Sequence, residues 1–107
     1  MLNKVRVIRN KDVKRVLLGT PQNHRHLRVS VMLEGECLIF SEATLANILR
    51  AYATIKTHPR IRAIELKEAV LHEDRKAGYA EHQLLETGRS REEIEKELML
   101  LISQSNQ

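Results

Sequence analysis

Between Leu27 and Leu33 apolar and polar positions alternate. Leu27, Val29, Val31 and Leu33 fall on one side of an extended strand, and Arg28, Ser30 and Met32 on the other. Glu34-Gly35 then forms a tight turn, since glycine tolerates a positive φ, and ECLIF returns as a second strand. The pattern predicts a β-hairpin over 27–40. A shorter alternation opens the chain, Val5 and Val7 against Lys4 and Arg6, and predicts an N-terminal strand broken at Asn10-Lys11-Asp12. In DVKRVLLG, Val13, Val16 and Leu17 recur at helical spacing with Gly19 as the stop, which predicts one or two helical turns, although Val16-Leu17-Leu18 also suits a strand. TPQNHRH reads as a loop.

From Ser41 the period changes to that of a helix. Ser41 can cap the free N–H groups, Glu42 suits the positive end of the helix dipole, and Leu45, Ile48, Leu49, Tyr52 and Ile55 form one apolar stripe. Thr57-His58-Pro59 ends the helix, because the residue before a proline avoids the α region. The segment from Arg60 to His72 carries both periods, and a strand is favoured because an isolated hairpin needs a further partner. A short helix is expected from Tyr79 to Thr87, closed by Gly88, and a last helix opens with the capping box Ser90-x-x-Glu93. The expected fold is α+β in a single domain, 1–107. It combines a small, mainly antiparallel sheet, one packed amphipathic helix and a C-terminal αα-corner.

The stretch Leu84 to Leu98, LLETGRSREEIEKEL, resembles the first two helices of helix-turn-helix regulators through Leu85, Gly88, Ser90, Glu93, Ile94 and Leu98. The resemblance covers about 15 residues, and the same residue types suit any tight αα-corner. A DNA reader also needs a recognition helix with polar groups for base edges, and after Leu98 come MLLISQSNQ. A structural corner is therefore the expectation. The apolar run Leu98 to Ile102 cannot turn wholly toward one core, so Leu98, Leu101 and Ile102 are expected to form the interface of a homodimer.

Composition narrows the class. Of the 107 residues 42% are apolar, which suits a globular chain, and only Phe40, Tyr52 and Tyr79 are aromatic, so the core must be aliphatic. A single cysteine, Cys37, excludes an internal disulfide. There is no apolar run of membrane-spanning length and no signal-peptide h-region at the start, so the expected location is cytoplasmic, with no membrane partner. The net charge of +4 is unevenly spread: residues 1–28 hold eight basic groups against Asp12, whereas residues 61–107 hold seven basic and ten acidic groups. Such a basic front makes nucleic acid a candidate partner, through Lys4, Arg6, Arg9, Lys14, Arg15, Arg25 and Arg28. Scarce aromatics disfavour base stacking and leave backbone or duplex binding as the form this would take.

Catalytic signals are weaker. His24-x-His26 has a spacing that metal sites use, and His58, with His72, His82 or Cys37, could complete a set, but no CxxC or HExxH is present. Cys37 as a nucleophile would need a thiolate-stabilising neighbour. Glu73, Asp74, Arg75 and Lys76, with Glu81 and His82 nearby, could pair a carboxylate with a histidine for acid–base work, yet they read first as a solvated turn. The four glycines lie far apart, so no phosphate loop forms and no cofactor is expected. The leading expectation is a non-enzymatic binding or assembly protein. Electrostatic nucleic-acid binding comes second, and a metal or hydrolytic site around His24, His26 and His58 third.

Overall fold

A computed structural model describes residues 4–70 and 82–105. The fold is α+β, with the element order β1 (Arg15–Gly19), β2 (Arg28–Leu33), β3 (Glu36–Ser41), α1 (Glu42–Thr57), β4 (Leu66–Val70), β5 (His82–Glu86) and α2 (Arg91–Ser103). Strands β1, β2 and β3 form an antiparallel sheet in sequence order, and β4 and β5 form a separate antiparallel pair.

The β2–β3 hairpin follows the alternation in its sequence. Residues from Leu33↔Glu36 to Arg28↔Ser41 pair across it, and Gly35 takes φ +73° in the turn. Val29 and Leu33 are buried on one face, and α1 packs on β2 and β3. Ser41 caps α1 by accepting from the Thr44 N–H, and His58 ends the helix in an extended conformation ahead of Pro59. The clearest periodicities in the chain therefore give the elements they predict.

Four expectations need correction. After the 3-10 turn Asn10–Asp12, residues 13–19 do not form helical turns: β1 pairs with β2 from Arg15↔Met32 to Gly19↔Arg28. One or two isolated helical turns nucleate poorly, whereas the open edge of β2 offers a full row of backbone partners. The segment 4–9 forms no strand, although Val5 and Val7 are half-buried between exposed Lys4 and Arg6. The 60–72 segment does supply a strand, but β4 pairs with β5 and does not extend the hairpin into one sheet. The expected helix over 79–87 is strand β5 over its described part, so among the described residues α2 is entered from a strand and not across an αα-corner. Gly88 (φ +77°) then serves a strand-to-helix loop and not a helix C-terminus. With the first helix gone, the likeness to helix-turn-helix regulators has no structural counterpart.

The loop into α2 is closely tied. Thr87 N–H donates to the Glu65 carbonyl at 3.1 Å, one step beyond the Leu66↔Glu86 pair, and the Ser90–Glu93 capping box is complete. Ile94, the buried residue of α2, meets Ile64, Leu98 and Leu101 around a small cavity of about 170 Å³. No helix among the described residues is long and apolar enough to cross a membrane.

Candidate functional site

The basic residues of the first third do not gather into one face. Arg6 is bound to Glu36 at 3.2 Å, and Lys14 lies 4.0 Å from Glu34. Arg9 flanks a 3-10 turn, its N–H donating to the Asp12 carboxylate. Arg15 and Arg28 share one face of the sheet at its opposite ends, with Leu17 and Ser30 between them, and Arg28 donates to the Leu27 carbonyl. Lys4 and Arg25 are exposed.

The histidines are also apart. His26 lies 3.7 Å from Glu42 in the first turn of α1, and His58 caps the last, its Nδ1 accepting from Arg60 N–H. Sixteen residues at 1.5 Å rise separate those ends by about 24 Å, so His26 and His58 cannot share an ion. His24 sits two residues before His26, and its N–H donates to the Pro21 carbonyl. Among the described residues no group of three His, Cys, Asp or Glu is placed to hold a metal. Cys37 is exposed with its Sγ 3.1 Å from the Ser30 hydroxyl, across the hairpin. Glu73, Asp74, Arg75, Lys76, Glu81 and His72 lie outside the described residues, while His82 stands 3.9 Å from Glu68. That pair lines an open cleft of about 800 Å³ together with Asn47 and Arg50 of α1. Both members are well exposed, and Asn47 and Arg50 are bonded to one another.

Perturbed titration occurs elsewhere. The Thr87 hydroxyl and Arg89 hold the Glu65 carboxyl below its ordinary range. Bonds to Glu97 and Glu65 push Arg89 up. The Ser90 hydroxyl and N–H lower Glu93. Each of these groups serves the junction between the β4–β5 hairpin and α2, which gives the cluster a structural role.

What the chain leaves uncovered stands out more than any polar cluster. All five residues of β1 are exposed, including Val16, Leu17 and Leu18. Register puts Leu17, Ser30 and Ile39 in one row across the outer face of the sheet, and Ile39 is 66% exposed. On α1, Ile48, Leu49 and Tyr52 of the expected buried stripe are exposed, and the helix instead turns Asn47, Ala51 and Thr54 toward β4 and β5. On α2, Leu98, Met99, Leu100 and Ile102 are at least half exposed, whereas Leu101 is half-buried.

No protein-family model matches this chain, and no curated protein or solved structure does. The apolar surfaces on β1, α1 and α2 are the features that bear on function. Of these, β1 escapes a reading based on period, because Val16-Leu17-Leu18 is an unalternating run. Its signal is the run itself, three apolar residues bounded by Arg15 and Gly19 with no polar position between.

Proposed function

We propose that the chain is a small assembly protein that works by associating with polypeptide, as a homodimer, and not by catalysis. One observation carries this reading. Among the described residues only Val29, Leu33 and Ile94 are buried apolar side chains, while large apolar residues lie open in contiguous groups on β1, α1 and α2. Scattered exposed leucines are ordinary on a monomer, but contiguous apolar patches mark interaction surfaces. At about 25 cal/mol per Å² of apolar surface removed from water, covering them stabilises the chain that does so.

Light-scattering mass of the full chain across micromolar concentrations tests the reading. The expected value is twice the 12.4 kDa of one chain. A folded species at 12.4 kDa throughout that range would remove the homodimer.

A further inference from the structure

Strand β1 is an edge strand with apolar residues at its centre. Natural edges are blunted by proline, by charge at the strand centre, by bulges or by covering elements. Here the interior positions are Val16, Leu17 and Leu18, and among the described residues only β2 pairs with the strand. The other edge of this sheet differs. Leu38 and Phe40 of β3 are half-buried, α1 packs on that strand, and Glu36 at its start is held by Arg6. In the second sheet both strands carry charged or histidine positions, namely Lys67, Glu68, His82 and Glu86. Strand β1 is thus the described strand open on both faces and along one edge.

The amount of exposed surface leaves room for a second copy. A folded monomer of 12.4 kDa is expected to expose about 6,100 Å². The whole chain exposes 9269 Å². The excess, roughly 3,000 Å² for one chain, is more than the about 1,000–2,500 Å² that each partner of an obligate homodimer buries, so a second copy can be seated on part of it.

We propose that β1 is the pairing strand of the homodimer, two copies joining antiparallel with Leu17 on the two-fold axis, so that the two three-stranded sheets become one. This inference rests on the association reading and names its surface. The sequence of β1 suits self-pairing about Leu17. Val16 falls opposite Leu18 of the second copy, an aliphatic pair, and Arg15 falls opposite Gly19, which has no side chain to oppose it. A parallel arrangement in register would instead set Arg15 beside its own copy, a like-charge contact. The groove lined by Leu17, Pro21 and Ile39 continues the apolar surface away from the axis on the outer face.

Cross-linking tests the geometry in the full chain carrying Cys37→Ser. Directly opposed residues of an antiparallel pair have Cα atoms about 4.5–5.5 Å apart, within the range of a disulfide. Under mild oxidation Leu17→Cys should therefore form a covalent dimer. The two copies of position 15 would lie about 14 Å apart, four residues of strand, so Arg15→Cys should not. In parallel, Leu17→Lys should give a folded monomer by light scattering and circular dichroism, while Ile102→Glu stays dimeric. A wild-type dimer in which Leu17→Cys cross-links no better than Arg15→Cys overturns the β1 interface and leaves the association reading standing. So does a dimer dissolved by Ile102→Glu and not by Leu17→Lys. A folded wild-type monomer overturns both. If Leu17→Lys fails to fold, the cysteine pair still decides.

Discussion

Glu65 and Arg89 lie 24 positions apart in sequence and 3.1 Å apart in space. The same carboxylate accepts the Thr87 hydroxyl at 2.7 Å, and Arg89 reaches on to Glu97 of α2 at 2.8 Å. One acidic side chain just before β4 thus fixes the loop that leaves β5, and through Arg89 it orients the last helix. A carboxylate held below its ordinary value of 4.5 binds fewer protons in the folded state than in the unfolded state. Its stabilisation is complete above that value and is lost as pH falls through the lowered folded value. Glu93, lowered by Ser90, acts in the same direction. Thermal unfolding followed between pH 7 and pH 3 should therefore show a fall in Tm that begins near pH 4.5. Glu65→Gln should lower Tm at pH 7 and flatten that fall. An unchanged pH slope in the variant would show that Glu65 is not the group responsible.

The start of α2 rests on Ser90. Its hydroxyl accepts from the Glu93 N–H, and the Glu93 carboxylate returns to the Ser90 N–H. Ser90→Ala should cost about 1 kcal/mol in urea unfolding, the usual value of an N-cap. Ser90→Asp should recover most of it, because Asp also caps well. If both variants match the wild type, the cap contributes nothing to global stability and α2 frays independently of the rest.

The elements legible in the sequence are those whose signal is local. Alternation from Leu27 to Leu33 with Gly35 in the turn specifies the hairpin, and Ser41 with the break at Pro59 bounds α1. The capping box at Ser90 does the same for α2. The misread elements are those decided by a distant partner. Arg15 to Gly19 becomes strand because β2 has an open edge, and His82 to Glu86 becomes strand because β4 does, even though Gln83, Leu84, Leu85 and Glu86 are good helix formers. Among the candidate sites, charge counts could not show that Arg6 and Lys14 would face Glu36 and Glu34, nor that α1 would separate His26 from His58. The apolar surface was legible at Leu98 to Ile102, where the run exceeds what one helix face can hide. It was not legible on β1, where the helical spacing of Val13, Val16 and Leu17 competes with the strand that Val16-Leu17-Leu18 also suits.

Gly88 sets the angle of entry into α2 with φ +77°, and a Cβ there would meet nothing within 4 Å. The cost of a side chain is therefore confined to the backbone. Gly88→Ala should destabilise by about 1–2 kcal/mol, the penalty of the left-handed region for an L-residue. Gly88→Asn should cost less, since Asn tolerates that region. Equal losses for the two variants in chemical denaturation would point to a clash in place of backbone strain.

Burial separates Leu33 from Ile39, residues of neighbouring strands on opposite faces of one sheet. Leu33 is 6% exposed beneath the helix side, and Ile39 is 66% exposed on the outer side. In an isolated chain Leu33→Ala should cost roughly 2–4 kcal/mol through lost burial and a residual cavity. Ile39→Ala should cost about 0.5 kcal/mol or less, as expected of an exposed position. Association changes the second number and not the first. If a second copy covers the outer face beside β1, the loss at Ile39 should grow toward that of a buried side chain, and it should depend on protein concentration because folding and assembly are then linked. Urea unfolding of both variants at two protein concentrations, ten-fold apart, reads this directly. A small, concentration-independent loss at Ile39 would confine the interface to the edge of β1, whereas a large one would extend it across the sheet.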